Sequence, residues 1–239
     1  MTSARLAQER QAIRSLISLS DPRDAATAYY ALYHPPALTR LTVQRSTDGA
    51  VAGFLAACIT GADLFRPLVV MRAQTDQVLR SLLGQALAPG RPHLFLVPLW
   101  YASTLKEELE LSEEHVELIL ALDRARFQPI VNVLVVSAPG ADGGERFEIR
   151  SQGRVMAASG TNWRSPHFAD IYVYTEPEVR ERGWGRSVAS ACTAALLAQG
   201  VQPLYTVAED NRPSRELAAA LGYRDTGARQ YFAAGLRRP

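Results

Sequence analysis

The clearest hydrophobic pattern in the chain lies in its C-terminal half. Residues Ala169–Thr175 are rich in β-branched and aromatic side chains, which predicts a β-strand. Pro177 ends this strand, and a loop with glycines follows it. From Ser187 onward, apolar residues recur at helical spacing, and Gly200 stands where the end of that helix is expected. The pattern therefore predicts a strand, a loop and a helix in direct succession.

The same order of elements occurs twice along the chain. Residues 41–99 are predicted to form a hairpin that turns at Asp48-Gly49, then a strand, a helix and an apolar strand. Residues 146–207 repeat this order, and Val51 is matched by Val155. We interpret the repeat as an internal duplication of one fold.

The segment between the two copies has a less regular pattern. A capping box at residues 104–107 and apolar residues at helical spacing after Ser112 predict helices. Residues 129–136 are strongly apolar and predict a strand. With the boundary between the copies in this segment, the predicted domains are 1–124 and 125–239.

Composition and charge narrow the functional classes. With 239 residues, 47% of them hydrophobic, the chain can bury the core of one large or two small domains. The formal net charge of +2 gives no basis for binding nucleic acid or an anionic membrane. The N-terminal residues lack a signal-peptide pattern, so a cytoplasmic location is expected, with Cys58 and Cys192 as buried free thiols. No metal site is predicted, because metal-ligand spacing is absent from His34, His93, His115 and His167.

The loop between the predicted strand and helix suits an anion. A helix N-terminus presents backbone N–H groups without partners, and Gly183 and Gly185 lack the Cβ atoms that keep a ligand away from the backbone. Arg180, Arg182 and Arg186 add donors that match phosphate oxygens. The alternative is an ordinary turn whose arginines are solvated.

Two motifs give a resemblance to a known family. The motif R-x-x-G-x-G at residues 180–185 resembles the acetyl-CoA-binding signature of the GNAT N-acetyltransferases. The motif N-x-x-S at residues 211–214, followed by L-G-Y at residues 221–223, resembles a second marker of that family. The resemblance covers residues 146–223 and implies an α/β fold with a mixed sheet. Together with the duplication, it implies tandem GNAT-like domains.

The first copy departs from this signature. Asp76, Leu79 and Ser81 fall where the second copy has the arginine and the two glycines of the motif. An acid in place of the arginine and a leucine in place of the glycine hinder the approach of phosphate. The first copy is therefore expected to be a degenerate, structural GNAT-like domain.

The resemblance implies acetyl-CoA as the acyl donor, with no metal. Its diphosphate is expected on the backbone of Glu181–Arg186, and its pantetheine arm beside the strand end at Val173–Thr175. The backbone N–H of Tyr174 is expected to stabilise the oxyanion of the transferred acetyl group. The predicted cofactor-binding residues are Val173, Tyr174, Thr175, Arg180, Glu181, Arg182, Gly183, Trp184, Gly185, Arg186, Asn211 and Ser214.

The acid–base residues depart from the family pattern. Ala218 stands where many members have a tyrosine that protonates the CoA thiolate, and Thr206 stands where a glutamate is common. Asp170, at the start of the central strand, is the first candidate for the base that deprotonates the acceptor amine, and a solvated strand-end carboxylate is the alternative. Glu209 and Ser214 are further candidates, and a loop charge or a helix cap also explains them.

The predicted function is transfer of the acetyl group of acetyl-CoA directly to a primary amine of a small molecule or peptide. The chain is expected to act as a monomer or homodimer, without nucleic-acid or membrane partners. Two alternatives stay open. One is a catalytically weak acyl-CoA-binding protein, suggested by Ala218 and Thr206, and the other is a structural or interaction module.

Overall fold

The computed structural model describes residues 3–140 and 144–238. The α-helices are α1 (Ser3–Ala12), α2 (Ala25–Ala28), α3 (Asp76–Ala86), α4 (Ala102–Glu108), α5 (Trp184–Ala198) and α6 (Arg212–Ala220). The strands are β1 (Thr39–Arg45), β2 (Val51–Cys58), β3 (Leu68–Ala73), β4 (Pro92–Pro98), β5 (Leu109–Leu122), β6 (Val135–Pro139), β7 (Glu145–Ser151), β8 (Arg154–Arg164), β9 (Phe168–Thr175), β10 (Gln202–Ala208) and β11 (Tyr223–Arg237). Short 3-10 or π turns occupy Ile13–Leu16, Pro22–Asp24, Tyr29–Tyr33, Pro36–Leu38, Leu99–Tyr101 and Pro177–Val179.

The chain divides into two compact units. Unit 1 contains Met1–Glu117 and Arg229–Pro239, and unit 2 contains Leu118–Ala228. This division differs from the predicted domains, because β5 and β11 each contribute to both units. A strand that pairs with partners far along the chain leaves no local signal of where one unit ends.

Unit 1 is built on a mixed sheet. Strands β1, β2 and β3 are antiparallel neighbours, β3 and β4 are parallel, and Gln230–Leu236 of β11 pair antiparallel with β4. Helix α3 packs its apolar face on this sheet, and its core neighbours are Leu55, Val69, Met71, Phe95 and Val97. Hence the C-terminal residues complete the sheet of the first unit.

Unit 2 repeats this plan. Strands β6, β7, β8 and β9 form an antiparallel series, and β10 lies parallel to β9. Helix α5 packs its apolar face on this sheet, in a core that includes Ile171, Ala189, Cys192, Leu196 and Val207. The predicted order of hairpin, strand, helix and strand is confirmed in both units.

The segment between the copies was harder to predict. The helix expected after Ser112 is wrong, because those residues belong to β5. The strand expected over residues 129–136 is also wrong for most of its length, since β6 begins at Val135. Both segments are apolar at spacings that fit more than one element, and their tertiary partners decide between them.

Two other features concern the thiols and the helices. Cys58 and Cys192 are buried and form no disulfide, as predicted, and burial raises the pKa of Cys58 to about 12. Within the described ranges, no helix combines the length and apolar character needed to cross a lipid bilayer.

Candidate active site

Unit 2 contains a cavity of about 780 Å³ where β9 leads into α5. Strand β10 and helix α6 supply its remaining walls. The residues that line it are Val173, Thr175, Val179, Arg180, Glu181, Gly183, Trp184, Gly185, Arg186, Tyr205, Asn211, Pro213, Ser214, Glu216, Leu217 and Ala220. Most of the predicted cofactor-binding residues therefore meet in one place, although Tyr174 and Arg182 are outside this lining.

The loop over residues 176–183 ends in a glycine that caps the helix. Gly183 is the N-cap of α5 and has φ 74°, a left-handed conformation that glycine adopts without strain. A Cβ added to Gly183 would have no atom within 4 Å, so the space above its backbone is open. The first-turn amides of Trp184, Gly185 and Arg186 have no acceptor within the helix, as at any helix N-terminus. Backbone N–H groups of this kind attract anions, so these amides form a candidate anion-binding end of the cavity.

The helix begins earlier than the sequence predicted, at Trp184 rather than Ser187. Gly185 consequently lies inside the first turn of α5, where neighbouring side chains leave no room for a Cβ atom. A Cβ on Gly185 would lie 2.6 Å from Thr175 Oγ1 and 3.4 Å from Leu217 Cδ1. The absence of a side chain lets the first turn of α5 approach the end of β9 closely.

Charge around the anion-binding end is mixed. Arg180 and Arg186 line the cavity and are exposed, while the Arg182 guanidinium lies 5.8 Å from the centre of the Trp184 ring, over its face. Glu181 also lines the cavity, so a negatively charged side chain lies beside the arginines. Their exposed positions suit a ligand whose phosphates reach out of the cavity.

The two parallel strands separate as they reach the cavity. Pairing between β9 and β10 covers Phe168–Asp170 with Gln202–Leu204. Beyond that point β9 continues to Thr175, and its other edge stays paired with β8. The edge of β9 that faces β10 therefore opens towards the cavity, where an extended ligand can add to it as a strand would.

Side chains of β10 and α6 form a hydrogen-bonded wall of the cavity. Asn211 is the N-cap of α6, and its side-chain oxygen accepts from the Ser214 backbone N–H at 3.3 Å. The Ser214 Oγ lies 2.7 Å from the Tyr205 hydroxyl, and burial raises the pKa of the Tyr205 phenol. Sequence reasoning missed Tyr205. Its alternation with Val207 along β10 was the available signal that it faces the helix layer.

The predicted acid–base residues fall in different places. Ser214 lines the cavity, whereas Asp170 and Glu209 do not. Asp170 is 3% exposed, so the interpretation as a solvated carboxylate is wrong. Glu209 is exposed. Ala218, where the family tyrosine was expected, is fully buried in the core beneath α6.

The equivalent region of unit 1 is closed. Only residues 74–75 separate β3 from α3, so no phosphate-type loop is present there, and Thr75 caps the helix with its side chain. The Tyr101 hydroxyl bonds the backbone N–H of Ala73 at 2.9 Å and its carbonyl at 3.0 Å. Leu79 is a fully buried residue of α3, and not a counterpart of Gly183 as the sequence comparison assumed.

The chain is similar to known proteins in part of its sequence and in its fold. Residues 151–233 match the family described as FR47-like protein. No curated protein matches the chain significantly in sequence. Several solved structures do match in fold. An acetyltransferase from the GNAT family of Colwellia psychrerythraea has 12% identity and a TM-score of 0.60, covering 99% of this chain and 98% of that one.

Two further structures extend this result. A GCN5-related N-acetyltransferase from Kribbella flavida has 17% identity and a TM-score of 0.60, covering 89% of this chain and 95% of that one. A tandem GNAT protein from the clavulanic acid biosynthesis pathway has 14% identity and a TM-score of 0.61, covering 99% of this chain and 95% of that one. The chain has the fold of tandem GNAT-like domains, and the FR47-like match supports a GNAT assignment for its C-terminal region.

Proposed function

We propose that this protein transfers the acetyl group of acetyl-CoA to a primary amine of a small molecule or a peptide. The GNAT fold supports acyl transfer in general. The observation that carries the finer proposal is the meeting, in one cavity, of the glycine-capped N-terminus of α5 with the separated edges of β9 and β10.

The residues present fit acetyl-CoA. The diphosphate would be held by the amides of Trp184, Gly185 and Arg186 and by Arg180, because converging N–H groups and guanidinium donors match phosphate oxygens. The free edge of β9 would hold the pantetheine arm through backbone hydrogen bonds. When bound, acetyl-CoA supplies an acetyl group activated as a thioester.

The chain's own groups then act on the transferred acetyl group and on the leaving thiolate. The backbone N–H of Tyr174, the oxyanion donor expected from the sequence, is directed at β8, because Glu176 N–H bonds the Met156 carbonyl on the same edge. The N–H of Val173 alternates with it and faces the open edge of β9, so this group would stabilise negative charge that develops on the acetyl oxygen. The hydroxyl pair of Tyr205 and Ser214 would donate a proton to the thiolate, since both line the cavity and share a hydrogen bond of 2.7 Å. These hydroxyls would do the work of the family tyrosine that Ala218 replaces.

Calorimetric titration with CoA tests the binding part of the proposal. Gly183→Asp should weaken CoA binding by about tenfold or more, because it adds a carboxylate at the anion-binding end. Gly153→Asp is the matched control, since Gly153 also has positive φ (79°) and open space where a Cβ would lie, but it is outside the cavity lining. Equal CoA affinities for the two variants would contradict the assigned role of Gly183.

A second candidate function is acyl-CoA binding without efficient transfer. The observation in its favour is that neither Asp170 nor Glu209, the predicted bases, lines the cavity. Release of CoA thiol from acetyl-CoA, measured across a panel of amines and peptides, separates the two functions. Tight CoA binding with no amine-dependent thiol release would establish the binding function.

A further inference from the structure

Asp170 lies at the point where the two parallel strands of unit 2 part. Its pairing with Leu204 is the last between β9 and β10. The Asp170 Oδ1 accepts from the backbone N–H of Thr206 at 2.9 Å. In a continued parallel ladder, that amide would be directed at a main-chain carbonyl of β9. The carboxylate thus takes the amide that would otherwise draw the strands together.

The other oxygen of Asp170 is held from the opposite side. On β8, the pairing shifts between Thr161 and Trp163, which makes Asn162 the extra residue of a β-bulge. The Asn162 Nδ2 donates to Asp170 Oδ2 at 2.8 Å. Because an ionised carboxylate only accepts hydrogen bonds, two donors from two different strands suit it. Asp170 therefore links β8, β9 and β10 at one point.

Unit 1 offers an internal comparison. Its β2–β3 register runs without a shift from Gly53 opposite Ala73 to Cys58 opposite Leu68. Val70, a fully buried apolar residue, follows the last pair of its parallel ladder. The parallel ladder of unit 1 therefore also ends early, after Val69, but there the Tyr101 hydroxyl occupies the backbone groups of Ala73, and neither a β2–β3 bulge nor a carboxylate is present among the residues described there. Unit 2 differs in that Asp170 and the bulge stand at the split and the strand edge beyond it stays open to the cavity.

We propose that Asp170 is a positioning residue that holds β9 and β10 apart, so that the pantetheine arm of an acyl-CoA can pair with the edge of β9. This inference rests on the proposed function. It assigns Asp170 to the binding of the acyl donor rather than to deprotonation of the acceptor. Val173 and Thr175 of β9 and Tyr205 of β10 line the cavity just beyond the split.

Asp170→Asn keeps the shape of the side chain but leaves one oxygen for two donors. We expect CoA affinity, measured by calorimetry, to fall by about tenfold, the effect of losing a hydrogen bond to a charged group. Hydrogen exchange at the Thr206 amide should become faster in the same variant. Asp225→Asn, at an exposed position of β11 where Asp225 Oδ1 accepts from Gly227 N–H, is the control and should change neither quantity.

Should Asp170→Asn fail to fold, Asn162→Ala supplies the same test. It removes one of the two hydrogen-bond donors to Asp170 and leaves the Asp170 carboxylate in place. It should weaken CoA binding in the same direction. Unchanged CoA affinity together with unchanged exchange at Thr206 would overturn the positioning role alone. If Asp170 were instead the base that deprotonates the acceptor amine, Asp170→Asn would abolish acetyl transfer and the fall of its rate at acidic pH. CoA affinity would then be unchanged. No CoA binding by the wild-type chain would overturn the proposed function and this inference together.

Discussion

Two helix glycines of this chain should respond in opposite directions to the same substitution. Gly185 lies in the first turn of α5, and an added Cβ would be 2.6 Å from Thr175 Oγ1. Gly84 lies in α3, and an added Cβ would have no atom within 4 Å. Neither glycine has a left-handed φ, so backbone strain does not enter the comparison.

The expected magnitudes follow from these contacts. Gly185→Ala should destabilise the protein by about 1–3 kcal/mol, the usual cost of overpacking, because the β-branched Thr175 cannot withdraw its hydroxyl without a change of rotamer. Gly84→Ala should stabilise it by about 0.5–1 kcal/mol, since alanine loses less conformational entropy in a helix. Displacement of the first turn of α5 should also weaken CoA binding in the Gly185 variant only.

Thermal unfolding and CoA titration of both variants measure these effects. Thr175→Ala removes the contacted hydroxyl, so the double variant with Gly185→Ala should recover most of the lost stability, giving a favourable coupling of about 1–2 kcal/mol. Wild-type stability of Gly185→Ala, or no recovery with Thr175→Ala, would refute the close packing of Gly185 against Thr175.

Three further effects are expected. Tyr205→Phe should lower the rate of acetyl transfer by about a hundredfold with CoA affinity unchanged; an unchanged rate would exclude its hydroxyl as the proton donor. Tyr101→Phe should cost unit 1 about 1–3 kcal/mol, because two backbone groups lose their partner, and urea unfolding checks this. Burial lowers the pKa of His34 and His93 in the folded chain. As the pH falls below about 6.5, these histidines therefore bind protons in the unfolded chain before they do so in the folded chain. Stability should then decrease by at most about 1.4 kcal/mol per pH unit for each histidine, and a flat profile between pH 7.5 and 5.5 would contradict their burial as neutral rings.

The local order of elements could be predicted because its signals are local. Pro177 and Gly200 mark the ends of a strand and a helix, and the hairpin at Asp48-Gly49 is confirmed by the antiparallel pairing of β1 and β2. Repetition of this order indicated the duplication, and the R-x-x-G-x-G motif indicated where an anion would bind. These features depend on the backbone preferences of a few residues and on hydrophobic periodicity, which a sequence contains in full.

The tertiary structure alone decided how these parts work together. Asp170 could not be distinguished from a solvated carboxylate until its partners on β8 and β10 were known. Gly185 has a role in packing only because Thr175 faces it across the strand–helix junction. Strands β5 and β11 each contribute residues to both units, and β11 pairs with β4, which lies far earlier in the chain. In each case the deciding interaction joins residues distant in sequence, and local propensity carries no information about such partners.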